Sequence, residues 1–106
     1  MRVIKIDSRN KVITEITLAK GVEAICEQLE CGYFTCIDLP NGDALYLDDE
    51  GLLREEPIGA FMLQGYVQPL SGHGLIIGTD AETGESIDCK SSVHFIKGSV
   101  SFIPVQ

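Results

Sequence analysis

The sequence predicts an α+β protein with a curled, mainly antiparallel sheet, or a partial barrel, and one amphipathic helix packed on it. Three observations favour this class. Short apolar stretches recur between turn residues, one segment spaces its apolar residues as a helix does, and Asn41-Gly42 separates two apolar runs. One amphipathic helix has one apolar stripe to bury, and the sheet offers the large surface that can cover it.

Length and charge limit the range of functions. With 106 residues, 44% of them hydrophobic and 23% charged, the chain is expected to form a single domain over 1–106. Its net charge of −8 disfavours nonspecific binding to nucleic acid or to an anionic membrane, because both need a basic surface. We therefore expect neither partner. A small anionic ligand, held by a local cluster of donors, stays compatible with this charge.

The first elements are a hairpin and the helix. Residues 2–6 and 12–17 are apolar or alternating around a turn-rich stretch at 7–10, which predicts two paired strands. Helical spacing then places one set of residues on a common stripe: Leu18, Val22, Ile25, Cys26 and Leu29. Thr17 is the expected N-cap and Gly32 the expected glycine after the helix.

A second hairpin is predicted around Asn41-Gly42, since a type I′ turn needs positive φ at both central positions. Counting outwards gives these facing pairs: Leu39 with Ala44, Ile37 with Tyr46, Cys36 with Leu47, and Thr35 with Asp48. A third strand at Leu52-Leu53 would complete a meander. Both faces of this hairpin are substantially apolar, so we expect it to be covered on both sides or to offer one face to a ligand or a second subunit.

The remaining chain reads mainly as strands. Residues 58–70 are compatible with a short helix or a strand, and residues 75–78 are typical of a buried strand. An acidic turn at 80–85 leads to a polar strand at 86–89. Residues 93–105 suggest a final hairpin or a bent strand.

Neither a metal nor a cofactor is expected. The four cysteines form no Cys-x-x-Cys pair, and Gly84 occupies the fifth position of a calcium-like loop where the sixth is required. With no apolar stretch of signal-peptide length and no run of about 18 apolar residues, we expect a cytoplasmic protein with reduced cysteines. The chain also lacks the Gly-x-Ser-x-Gly, His-Glu-x-x-His and P-loop patterns, which favours binding over catalysis.

The order of these elements resembles a small uncharacterised domain family found in bacteriophages and conjugative elements of Gram-positive bacteria. The likeness covers nearly the whole chain, and its most specific parts are residues 44–52 and 74–80. One departure is visible, because Pro57 is followed by Ile58-Gly59 where the family usually carries a polar Asn or Arg. The resemblance brings no established activity. It implies a phage accessory gene, a setting in which small proteins are often counter-defence factors and several trap a nucleotide immune signal in an oligomer.

The expected ligand-binding residues are Arg54, His73, Tyr46, Thr79, Lys90 and Lys97. His73 lies between glycines, so it is expected to be simply exposed or to donate to a phosphate. Arg54 is expected either to bind phosphate through its planar guanidinium or to form a surface ion pair with its glutamate neighbours. Tyr33 and Tyr46 could stack a purine, fill a dimer interface or fill the core.

Two hypotheses follow. The first is a non-enzymatic homo-oligomer that sequesters a nucleotide signal, either an ADP-ribose derivative or a cyclic nucleotide, in the host-cell cytoplasm. The second is a protein-binding inhibitor of a host defence enzyme. An enzyme that degrades the signal comes last, because only His73, His94 and scattered carboxylates could serve it.

Overall fold

The computed structural model describes residues 1–50 and 58–104. These residues form nine strands and two helices. The strands are β1 (Arg2–Asp7), β2 (Val12–Thr17), β3 (Phe34–Asp38), β4 (Asp43–Asp48), β5 (Ala60–Leu63), β6 (Leu70–Ser71), β7 (Gly74–Thr79), β8 (Ser86–Ile87) and β9 (Val100–Ile103). The helices are α1 (Val22–Leu29) and α2 (Val93–Ser99).

The strands form two antiparallel sheets. The larger sheet has the order β2-β1-β7-β4-β3, and β8 adds a short pairing to the end of β7. The smaller sheet has the order β6-β5-β9. The predicted α+β class with a helix packed on a mainly antiparallel sheet is confirmed. The large sheet stays open, with β2 and β3 at its edges among the described residues, so it does not close into a barrel.

The large sheet is buried on both faces. On one face α1 covers a cluster of aliphatic side chains: Val3, Leu18, Ile25, Leu29, Leu75 and Ile77. On the other face the small sheet and α2 cover a second cluster: Ile4, Ile6, Ile13, Leu45, Leu47, Phe61, Leu63, Ile76, Cys89 and Ile96. Strand β7 contributes to both clusters through alternate residues, as its continuous apolar sequence predicts for a strand buried on two sides.

The helix begins later than the sequence predicts. Leu18 exchanges hydrogen bonds with Met1, its amide donating to the Met1 carbonyl at 2.8 Å and its carbonyl accepting from the terminal ammonium at 2.7 Å. This exchange continues the pairing beside β1, so the expected N-cap at Thr17 is wrong and Gly21 precedes α1 instead. Val22, expected on the buried stripe, is 62% exposed. At the other end Glu30, with φ of 56°, takes the left-handed position expected for Gly32.

The β3–β4 hairpin forms with a register one residue away from the prediction. Cys36 lies opposite Tyr46, and Asp38 opposite Ala44. The Gly42 amide donates to the Leu39 carbonyl at 3.1 Å, which closes a turn over residues 39–42. Pro40 then occupies the second position, where its fixed φ favours a type I turn, and Gly42 follows with φ of 93°. The prediction of a type I′ turn, with positive φ at both central residues, is therefore wrong.

The corrected register changes which residues share a face. Tyr46 now lies with Phe34 and Cys36, and the Tyr46 and Phe34 rings are 5.4 Å apart beside the α1 cluster. Leu45 and Leu47 lie on the other face. The apolar surfaces of this hairpin are thus largely used in the two cores. The expected third strand at 52–53 lies outside the described residues, and β7 occupies the side of β4 away from β3.

The C-terminal region contains an unexpected helix. Residues 93–99 form α2, and only 100–103 form a strand, so the predicted final hairpin or bent strand is wrong. The Ser92 hydroxyl accepts from the Phe95 amide at 3.1 Å and caps the helix. The predicted buried strand at residues 75–78 is confirmed as part of β7. Within residues 58–70, for which a helix or a strand was expected, residues 60–63 form strand β5.

Candidate functional site

A cleft of about 1110 Å³ opens where three segments meet: the β3–β4 turn, the turn after β5, and the chain that leads into α2. The residues that line it are Asp38, Leu39, Pro40, Asn41, Leu63, Gln64, Gly65, Tyr66, Lys90, Ser91, Ser92, Phe95, Ile96 and Ser99. Its size is that of a site for a small organic molecule or cofactor. We call it the turn cleft.

The buried Asp43 fixes one wall of the turn cleft. Its carboxylate is 1% exposed and accepts from the Lys90 amide at 2.9 Å, from the Ser91 amide at 2.8 Å and from the Ser91 hydroxyl at 2.6 Å. Burial alone would raise the pKa of Asp43, but the hydrogen bonds from Ser91, Lys90 and Asn41 together lower it below its usual value. The carboxylate therefore stays ionised and fixes residues 90 and 91 at the start of β4.

Arg2 holds the same segment from its other end. The guanidinium of Arg2 donates to the Cys89 carbonyl, and the Cys89 amide donates to the Arg2 carbonyl at 2.9 Å. The Arg2 amide also donates to the Asp88 carboxylate at 2.8 Å. With anchors on β1 and β4, the backbone around Lys90 is held in one conformation before any ligand arrives, which lowers the entropy cost of binding.

Lys90 gives the turn cleft its positive charge. Its side chain is exposed, and the ammonium lies against Gly42, where a Cβ would come within 3.0 Å of Nζ. Among the described residues that line the cleft, Lys90 is the one cationic side chain and Asp38 the one carboxylate. A compact ammonium at the rim of an apolar cleft suits a ligand with an anionic group at one end.

The apolar part of the turn cleft includes an exposed aromatic ring. Phe95 is 61% exposed although it lies on α2 next to the buried Ile96. Leu63 lines the cleft from the end of β5, and Tyr66 lines it from the turn that follows. An exposed ring that lines the same cleft as a cation is suited to stack on a planar heterocycle.

His73 lies elsewhere and is buried. Its ring is 1% exposed, contrary to the open loop position expected from its glycine neighbours. The Ser8 amide donates to Nδ1 at 3.2 Å, and Nε2 lies 2.9 Å from a Glu30 carboxylate oxygen. Because Nδ1 accepts, the proton resides on Nε2, which donates to Glu30. Burial lowers the pKa of His73, so the neutral ring is favoured.

Glu30 ties His73 to the first hairpin. The two terminal nitrogens of Arg9, Nη1 and Nη2, donate to its carboxylate at 2.7 and 2.8 Å, and this pairing is the main reason that the pKa of Glu30 falls to about 2. The network links the β1–β2 turn, the end of α1 and the start of β7. Both ring nitrogens of His73 are engaged in it, so we assign it a structural role.

The other expected site residues do not meet at the turn cleft. Tyr46 faces the α1 side of the sheet, where burial raises the pKa of its phenol. Thr79 ends β7 opposite Ser86, and Lys97 is exposed on α2. Arg54 lies outside the described residues. Of the expected set, Lys90 lines the cleft.

Sequence reasoning missed Asp43 and Phe95. Asp43 is not among the expected site residues, although an Asn-Gly-Asp sequence before a buried strand offers a side-chain acceptor at the strand's first residue. Phe95 was assigned to a strand, so its place on the exposed side of a helix did not emerge. Ser92 was the available signal, because it stands three residues before Phe95 at the spacing of an N-cap.

The described residues contain no group of three or more His, Cys, Asp or Glu side chains arranged to hold a metal ion. Within the same residues, no helix combines the length and apolar character needed to cross a membrane. A second, acidic depression of about 470 Å³ lies beside the end of α1 and is lined by Cys26, Glu27, Glu30, Cys31, Gly32, Asp48 and Glu50.

Comparison with known protein families gives a match that covers most of the chain. Residues 1–98 match DUF3846, described as a domain of unknown function. The chain belongs to the DUF3846 family. The match agrees with the small uncharacterised family expected from the sequence, and it covers every element from β1 to most of α2. Searches among curated proteins and among solved structures gave no significant match. Membership in DUF3846 assigns no activity, so a functional proposal depends on the geometry of the turn cleft.

Proposed function

We propose that this protein binds a nucleotide in the turn cleft and sequesters it without cleaving it. The observation that carries the proposal is the combination of the Lys90 ammonium, the open Phe95 ring and a volume of about 1110 Å³ in one preorganised cleft. A nucleotide offers the matching parts, with an anionic phosphate for the cation and a planar base for the ring.

Sequestration requires affinity and no reactive group. The Lys90–Ser91 wall is fixed by Asp43 and Arg2, which favours tight binding by a surface that needs little rearrangement. In the phage setting that the sequence resemblance implies, the ligand would be a bacterial immune signal, and its capture would protect the phage. We also propose a homo-oligomer. Val67, 93% exposed beside Tyr66, adds apolar surface next to the cleft that a second copy could cover.

The test is calorimetric titration of the purified protein with adenine and guanine nucleotides, including cyclic nucleotides and ADP-ribose derivatives. Thermal unfolding is then measured with and without each ligand. A ligand that binds the native state should raise the melting temperature, and chromatography should recover it intact. Light scattering with and without ligand would give the number of subunits.

Variants locate the site. Phe95→Ala should weaken binding by roughly 5- to 150-fold, since stacking on an aromatic side chain contributes about 1–3 kcal/mol per base. Lys97→Gln is the matched control, because Lys97 is an exposed cation on the same helix and does not line the cleft. Failure of every nucleotide to bind, or recovery of a cleaved product, would contradict the proposal.

A protein-binding inhibitor is a second candidate, favoured by the edge strand β3. The described residues place no neighbour on its outer side, and Tyr33 just before it is 71% exposed. A partner strand could extend the sheet there. Cys36→Pro, at a position of this strand where the amide faces away from β4, should then abolish capture of a defined host defence enzyme while leaving nucleotide binding unchanged.

A further inference from the structure

We propose that the turn cleft selects nucleotides whose phosphate is a cyclic or internal diester, carrying one negative charge, over nucleotides with terminal phosphates. This inference rests on the proposed function and specifies the class of ligand for the same cleft. It follows from how the charges around Lys90 are arranged.

Within the described part of the chain, the turn cleft offers a ligand one cationic side chain and carries no surplus of positive charge. Lys90 is the one cationic side chain among the described residues that line it, and Asp38 lines the same cleft with a carboxylate. Behind Lys90 the Asp43 carboxylate is held ionised by its hydrogen bonds. The whole chain carries a formal charge of −8. A ligand with more than one negative charge would therefore be repelled by its surroundings without a second cation to compensate.

Phosphate chemistry turns this arrangement into selectivity. A phosphodiester has one ionisable oxygen and keeps a charge of −1 across neutral pH. A phosphomonoester carries about −1.5 to −2 at pH 7, because its second pKa is about 6. Nucleoside diphosphates and triphosphates carry more. The base and ribose are the same in all of them, so stacking on Phe95 does not discriminate among them.

The position of Lys90 agrees with recognition of a single anionic group. Its ammonium lies against Gly42, where a side chain would approach Nζ to 3.0 Å, and the backbone of residue 90 is fixed by Asp43. Because the backbone of residue 90 is fixed and one ammonium group lines the cleft, we expect one phosphate group of the ligand to bind near the rim of the turn cleft. The base then extends towards Phe95 and Tyr66, which line the same cleft.

The experiment compares ligands that differ only in phosphate charge. We would measure the Kd of 3′,5′-cyclic AMP, 5′-AMP, ADP, ATP and adenosine, and of the same guanine series, at pH 8 and constant ionic strength. The cyclic nucleotide should bind at least about tenfold more tightly than the 5′-monophosphate, with weaker binding at each added charge. At pH 5.5 the monophosphate loses most of its second charge, because its second pKa is about 6, so its Kd should move towards that of the cyclic nucleotide.

Lys90→Gln tests the cation, and Lys97→Gln is its control. The first should bring the Kd of the cyclic nucleotide close to that of adenosine, while the second should leave the ratio unchanged. Melting temperatures of both variants establish that they are folded.

The outcomes separate this inference from the proposed function. Tighter binding of 5′-AMP, ADP or ATP would overturn the diester preference and leave nucleotide binding intact. Equal affinity for adenosine and the cyclic nucleotide would overturn the role of Lys90 and, with it, the inference. Absence of binding by every nucleotide and nucleoside would overturn both proposals.

Discussion

The Ser91 hydroxyl donates to the Asp43 carboxylate at 2.6 Å, and the Ser91 amide donates to the same oxygen at 2.8 Å. These two residues are 48 positions apart in sequence, and their contact joins the start of β4 to the segment before α2. Asn41 donates to the Ser91 hydroxyl at 2.9 Å and ties the hairpin turn into the same network. The wall of the turn cleft is therefore built from a buried charge with several donors.

Asp43→Asn should destabilise the fold by about 2–3 kcal/mol, because the amide nitrogen would face the Lys90 and Ser91 donors and leave at least one buried N–H without an acceptor. Urea denaturation would measure the loss, and nucleotide affinity should fall with it. Asp49→Asn is the control, since Asp49 is exposed and does not line the turn cleft. A wild-type unfolding midpoint for Asp43→Asn would show that the network adds no stability.

The ion pair between Glu30 and Arg9 leads us to expect a loss of stability in acid. Its pKa in the folded protein is about 2, below the unfolded value of 4.5, chiefly because of the hydrogen bonds from Arg9. The stabilisation is fully present above about pH 5 and is lost as pH falls through the folded pKa near 2. Since the side chain is 39% exposed, solvent screening limits the effect to at most about 1 kcal/mol.

Glu30→Gln should remove that part of the pH dependence, seen in denaturation midpoints between pH 5 and pH 2. Glu27→Gln, on an exposed side chain of the same helix, should leave it in place. If both variants keep the wild-type profile, the Arg9 pairing does not stabilise the native state.

His73 predicts a pH effect in a higher range. Burial lowers its pKa below the unfolded value of 6.5, so the unfolded chain takes up the proton first as pH falls. The contribution of the neutral His73 ring to the free energy of unfolding is fully present above pH 6.5. It declines as the pH falls from 6.5 towards the lower pKa of the folded protein. NMR titration of the ring should give a pKa below 6.5. A folded pKa above 6.5 would reverse the sign of this effect.

The positions of most strands follow from local sequence, but their tertiary environment does not. Apolar or alternating residues predicted β1 and β2, a continuous aliphatic run predicted β7, and the Asn-Gly pair predicted a hairpin in the right place. The register was wrong because Pro40 directs the turn, and a shift of one residue moves Tyr46 from one face to the other.

The burial of His73 depends on contacts that local sequence does not encode. Its partners Ser8 and Glu30 are 65 and 43 residues away, and the adjacent Gly74 lets the chain pack closely, since a Cβ there would lie 3.0 Å from Leu45. Flanking glycines indicated an exposed loop, whereas here they allow tight packing. The turn cleft likewise forms from three segments distant in sequence, so Lys90 was the one expected site residue found there.

Two glycines should respond in opposite ways to alanine. A Cβ at Gly78 on β7 would lie 2.2 Å from the Asp88 carbonyl oxygen, a backbone atom that cannot move aside cheaply. We expect Gly78→Ala to destabilise the protein by at least about 3 kcal/mol and to displace the segment that leads to Lys90. A Cβ at Gly98 in α2 meets nothing within 4 Å, so Gly98→Ala should stabilise by about 0.5–1 kcal/mol through helix propensity. Thermal and urea unfolding of both variants would measure the difference. Equal stabilities would mean that β7 and residue 88 do not pack this closely, and the anchoring of the cleft wall would then need another explanation.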